Sequence, residues 1–241
     1  MRRIFIFAIL TVLFAWPYGL YASPQTITIS TFEEDTAVVR VSELLKKAYR
    51  RIGVEMTLAR LPANRALIEA NTGVLAEGEL IRIGGLTRKF PNLIQVPVMI
   101  ADFKISVFSK NIDFKVDGWQ SLKPYHIAFK RGFKGMEKHA GNLNVTRVQS
   151  SETAMEILDL ERVDIIVLPF LDGLVLRKKL NLPGIKILEP PLEQVQLYHY
   201  VHNSRKDTAD KLGSVLKEMD AAGDIKRFWQ KIETGLSGFD G

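Results

Sequence analysis

Arg131 and Lys134 flank Gly132 and Phe133 in the segment KRGFKG, residues 130–135. A guanidinium, an ammonium and backbone N–H groups left open by glycine are the groups that hold a carboxylate or another small anion. Arg82 stands two residues before Gly84 and Gly85, where backbone without a Cβ can approach a ligand closely. Its competing role is an ion pair with Glu77 or Glu79, and Glu79 is itself a ligand-binding candidate. Arg65 offers a further cation or an ordinary helix-surface charge. Glu33 directly follows a strand-like run, where it could accept a ligand amine or serve the start of a helix. Phe32, Phe133 and Phe170 are candidate apolar walls, with plain core packing as the alternative. As a set these residues suit a small polar solute, and a carboxylate on that solute would meet the cations.

Catalytic signatures are weak. Glu33 with Glu79 is the one acid–base pair that can be nominated. His199 and His202 are three apart in a strand-like run, a spacing that sends them to opposite faces, so they make poor joint metal ligands. His126 and His139 have no partners at metal-binding spacing. The chain has no Cys, which excludes disulfides, thiol catalysis and thiolate metal sites. It carries no nucleophile-elbow, phosphate-loop or dinucleotide fingerprint. No catalytic residue, metal or cofactor is therefore expected. The net charge of +6 comes from interspersed charges of both signs, without a dense basic tract carrying aromatics, so no nucleic-acid partner is expected either.

The elements that must position these side chains alternate between strand and helix. Arg2 and Arg3 precede an apolar run, 4–16, which reads as a secretory signal peptide over residues 1–22, cut after Ala22. With no Cys in the rest, the expected compartment is a bacterial periplasm. Strands are predicted at 26–30, 54–58, 79–83, 94–99, 104–108, 126–129, 144–148, 163–168, 185–188 and 197–201. Pro97 admits an edge or a bulge only. A helix capped by Asp35 carries Val38, Val41, Leu45, Ala48 and Ile52 on one face and stops at Gly53. Further helices are predicted from Pro62, from Ser150 or Ser151, from Pro169, and after caps at Asp207 and Asp224. The alternation implies an α/β chain with largely parallel sheets. Composition breaks near Lys110 and Pro190 divide it into a discontinuous lobe 1 (23–109 and 198–241) and an inserted lobe 2 (110–197).

The segments LPANRAL (61–67), GELIR (78–82), FPNLI (90–94), WQSL (119–122), RVD (162–164) and GDIK (223–226) occur in an order and spacing that span nearly the whole mature chain. In this the sequence resembles the extracellular solute-binding proteins of family 3, the receptors of amino-acid ABC importers, and specifically a divergent branch of them. The resemblance implies the type II periplasmic-binding-protein fold: two lobes, each a mostly parallel sheet flanked by helices, joined by two crossover strands. It implies a monomer that captures a small-molecule solute for a membrane permease. The alternatives are a sensing module for a membrane signalling partner, or a periplasmic enzyme on the same fold. The departures fall on the ligand-gripping positions. FEED (32–35) stands where the family has an aromatic-rich segment, Leu168 and Pro169 stand at the place of its second Asp, and TRKF (87–90) only approximates its carboxylate-gripping Thr-x-x-Arg. The resemblance thus carries the fold but not amino-acid specificity.

Overall fold

The computed structural model describes residues 25–32 and 36–238. The expected leader (1–22), Glu33 and the expected cap Asp35 lie outside the described residues. Strand β1 (Gln25–Thr31) alternates, with Ile27 and Ile29 turned into the core. Helix α1 (Thr36–Arg51) buries Val38, Val41, Leu45 and Ala48 on one stripe, and the chain leaves it through Gly53 at φ 70°, a backbone conformation that favours glycine. Strand β2 (Val54–Arg60) is followed by α2 (Ala63–Thr72), which begins directly after Pro62. Next come β3 (Gly78–Ile83), β4 (Leu93–Ser109), β5 (His126–Lys130) and a short α3 (Lys134–His139). Strand β6 (Asn144–Val148) leads to α4 (Ser151–Asp159). The cap there is Ser150, whose hydroxyl accepts the Thr153 N–H at 3.0 Å. The remainder is β7 (Ile165–Pro169), α5 (Phe170–Lys179), β8 (Lys186–His202), α6 (Lys206–Ala221) and α7 (Asp224–Ser237).

The strands form one hydrogen-bonded sheet in the order β2-β1-β3-β8-β4-β7-β5-β6. Strands β1, β2 and β3 run parallel at one end, and β5, β6 and β7 run parallel at the other. The antiparallel pair β4–β8 joins them. Each of these two strands is 17 residues long, long enough to serve both ends. The cores are separate. Ile29, Leu45, Leu80 and Leu212 belong to a cluster in the first half, packed by α1 and α6. The second half has one cluster on each side of its sheet, around Phe129 and Val167 and around Phe108 and Leu168.

Four local expectations are corrected. The predicted strands 94–99 and 104–108 are one strand, β4, because residues 101–105 keep pairing with 193–197 of β8 across the middle. The predicted strands 185–188 and 197–201 are likewise one strand, β8, and Pro190 and Pro191 lie within it. They sit where the β4–β8 register shifts between Ile105 and Val107, so their missing donors break no regular ladder. Pro97 also falls in a register shift, between Gln95 and Met99, which is the bulge its chemistry requires. Asp207 and Asp224 lie in the first turns of α6 and α7 rather than at their caps, which are Arg205 and Gly223. There they still complement the helix dipoles.

Candidate functional site

A cavity of about 660 Å³ lies where the two halves face each other. The first half contributes Phe32, immediately after β1, and Thr36, the first residue of α1. The second contributes Lys130, Arg131 and Phe133 from the β5–α3 connection, and Ser150 and Ser151 from the start of α4. Pro169 and Asp172 add the β7–α5 junction. All of these groups stand at or just beyond the C-terminal ends of parallel strands, the edge where open α/β sheets bind ligands.

The loop that carries Arg131 is fixed by its backbone. The Arg131 N–H donates to the Val148 carbonyl at 2.9 Å, which ties the loop to β6. Gly132 has φ 80°, and its N–H donates to Glu137 Oε1 at 3.3 Å. Arg147 binds both oxygens of Glu137, at 3.3 and 3.0 Å, and holds that carboxyl below its usual range. The acid beside the loop is thereby matched, and the Arg131 side chain is exposed at the cavity. Phe133 is half-buried against the second-half core. The Lys134 side chain lies outside the described residues.

Arg82 is held from below. Its Nε donates to Glu79 Oε1 at 2.8 Å, and its Nη2 donates to the Ala63 carbonyl at 2.8 Å. The guanidinium carbon lies 4.4 Å from the centre of the Phe32 ring, so this cation backs the aromatic wall of the cavity. Glu79 is fully buried and accepts the Ser30 hydroxyl. Burial pushes its carboxyl up to about 7, against the lowering pull of Arg82 and Ser30.

Two candidates lie elsewhere. Arg65 is 60% exposed on α2 and reaches Glu69, one helical turn on, at 3.4 Å. Phe170 faces a separate cavity behind the starts of α1 and α5, and its ring carries the Lys104 ammonium at 5.1 Å. Residue-by-residue reading missed Asp172. The Thr36 N–H donates to Asp172 Oδ1 at 3.2 Å, a bond from the first turn of α1 to the first turn of α5 that links the two halves. The only local signal was an acid three residues after Pro169, where it also suits a helix start.

Among solved structures, the chain is similar to the probable amino-acid ABC transporter extracellular-binding protein YtmK of Bacillus subtilis. The TM-score is 0.67 at 15% identity, covering 87% of this chain and 97% of that one. Substrate-binding domain 2 of Lactococcus lactis GlnP, in an open conformation, gives a TM-score of 0.65 at 14% identity over 86% and 95% of the two chains. A mutant of ArgBP from T. maritima gives 0.61 at 18% identity over 87% and 95%. The fold is that of the type II periplasmic binding proteins. In the terms of that fold, β4 and β8 are the crossover strands, and the 660 Å³ cavity lies in the cleft between the two halves. No family model matches the chain. An uncharacterized protein of Shewanella oneidensis is 26% identical over 223 residues, 88% of this chain and 83% of its own length.

Proposed function

We propose that this chain is a periplasmic solute-binding protein that closes its two lobes on a small polar, carboxylate-bearing solute and delivers it to an ABC-type importer. The carrying observation is the interlobe cleft, with Phe32 and Thr36 on one wall and Lys130, Arg131 and Phe133 on the other. The YtmK neighbour is described as a probable amino-acid ABC transporter extracellular-binding protein and the GlnP neighbour as a substrate-binding domain, which supports capture over turnover. The lobe boundaries in this reading are 23–109 with 198–241, and 110–197. Export follows from the leader-like residues 1–22, and N-terminal sequencing of the exported form should begin at Ser23. Among the described residues no helix is long and apolar enough to cross a membrane.

Chemistry at the cleft favours binding. The nominated acid Glu79 is fully buried and engaged by Ser30 and Arg82, which supports capture over acid–base work by the Glu33–Glu79 pair. In the proposed site Arg131 meets the solute carboxylate, Phe32 and Phe133 supply apolar walls, and Arg82 sets the position of Phe32. Glu33 as an acceptor for a solute amine and Lys134 as a second cation belong to the same proposal.

A thermal-shift screen of amino acids, other small carboxylates and small amines tests the proposal. At a concentration 100-fold above Kd, a ligand specific for the native state stabilises it by about 2.7 kcal/mol. For a chain of this size that raises Tm by about 5–10 °C. No shift with any carboxylate at millimolar concentration, while the chain melts cooperatively, defeats the reading.

A further inference from the structure

A second cavity, of about 320 Å³, lies beside the cleft. The starts of α1 and α5 stand between the two: Phe103, Pro169 and Asp172 line both, Thr36 and Val175 line the cleft alone, and Ala37 and Leu171 line the second cavity alone. Its walls are Met99 and Phe103 of β4, Leu197 of β8, Phe170 and Leu171 of α5, and Trp229 of α7. They come from both halves and from the β4–β8 ribbon that joins them.

The polar groups around this cavity are already matched. Lys104 Nζ lies 3.8 Å from Glu233 Oε1 and 5.1 Å from the centre of the Phe170 ring. Asp102 accepts from Gln194, and Asp172 accepts from the Thr36 N–H. The Trp229 Nε1–H donates to the Ile100 carbonyl at 2.8 Å. Asp220 and Lys226 are exposed and remain hydrated at the mouth. A charged ligand entering here would lose its water and find no spare partner inside. An uncharged ring would lose little and gain three aromatic neighbours, Phe103, Phe170 and Trp229. An apolar cavity of about 150 Å³ is enough to hold benzene, so this one has room for two fused rings.

We propose that the cavity is a second ligand site, adjoining the cleft, that takes an uncharged aromatic molecule of one or two fused rings. Its occupant touches both halves and the ribbon at once. Occupancy therefore favours the arrangement of the halves seen here over any other.

The test titrates indole into the full chain by calorimetry, with circular dichroism melts as the folding control. Indole should bind saturably at one site. Leu171→Trp and Met99→Trp each fill the cavity and should weaken indole at least tenfold. Phe133→Ala, on the cleft side, should leave indole affinity unchanged. Indole-3-acetate, which adds a carboxylate to the same rings, should bind at least tenfold more weakly than indole. Non-saturable indole binding, undiminished binding in both folded Trp variants, or a loss caused by Phe133→Ala overturns the site. Equal or tighter binding of indole-3-acetate overturns the uncharged class.

Discussion

Glu79 and His199 should impose opposite pH dependences on stability, and removing Glu79 should expose the difference. Burial pushes the Glu79 carboxyl from an ordinary 4.5 up to about 7. Burial pulls the His199 imidazole from 6.5 down to about 4. The histidine's neutral form is also set by geometry. The Leu80 carbonyl, 3.0 Å from Nδ1, can only accept, so Nδ1 carries the proton. The Tyr49 hydroxyl then donates to Nε2 at 2.8 Å. Between pH 4.5 and 7 the folded chain keeps the Glu79 proton that the unfolded chain has lost, so stability falls as pH rises. Between pH 4 and 6.5 the unfolded chain holds a proton that folded His199 rejects, so stability rises with pH. Each pH unit inside such a window is worth about 1.4 kcal/mol per proton, so each effect amounts to about 3 kcal/mol. In the wild type the two slopes oppose each other from pH 4.5 to 6.5. Glu79→Gln removes the falling slope and leaves the rising one. The glutamine is close in shape to the protonated acid, so the two chains start near equal stability at pH 4.5. Urea denaturation followed by circular dichroism should show the variant gaining on the wild type by about 3 kcal/mol by pH 7. A difference that stays constant to within about 1 kcal/mol across the window would refute the reasoning, because the carboxyl would then titrate as an ordinary one.

Three shorter predictions concern the site and its supports. Arg131→Ala should weaken binding of the solute found by the thermal screen by about 10- to 100-fold, the worth of one charge-assisted hydrogen bond, and the exposed position leaves Tm nearly unchanged. Unchanged affinity by calorimetry removes Arg131 from the site. Gly173→Ala should destabilise the fold by about 1–3 kcal/mol, because the added Cβ would stand 2.0 Å from Phe108 Cζ, in a ring that is fully buried. A wild-type melting curve for that variant would contradict the packing of α5 on β4. Lys178→Ala should raise hydrogen exchange in the last turn of α7, since Lys178 Nζ binds the Gly235 carbonyl at 3.0 Å, with little effect on global stability. Unaltered exchange there would mean that this bond does not restrain the helix end.

How far the chain could be read depended on whether a residue's partners lie near it in sequence. The alternation of Ile27 and Ile29 in β1 and the Val38, Val41, Leu45 and Ala48 stripe of α1 are local patterns, and both appear as expected. The crossover ribbon is different. Ile100 and Ala101 are adjacent and both buried, so the middle of β4 shows no two-residue period, and Pro190 and Pro191 look like the end of a strand that in fact continues through them. Among the candidate cations, Arg82 has Glu79 three residues away, so an ion pair was visible as its competing role, and the structure forms it; Arg65, weighed against a helix-surface charge, is exposed on its helix and pairs with Glu69 one turn on. Arg131 has no such neighbour in its own loop, where Gly132 and Phe133 follow it. Its acidic neighbour Glu137 is engaged by Arg147 from β6, a pairing that only the adjacent strand supplies. The Thr36–Asp172 bond joins residues 136 apart and leaves no periodic trace in either segment. The same holds for Phe32 and Phe170: each follows the end of a strand, yet one faces the cleft and the other the second cavity. Residue type and local spacing could nominate groups for the cleft. Which of them meet across it is decided by two strands that pair along both halves, because those strands set which loops of the first half face which loops of the second.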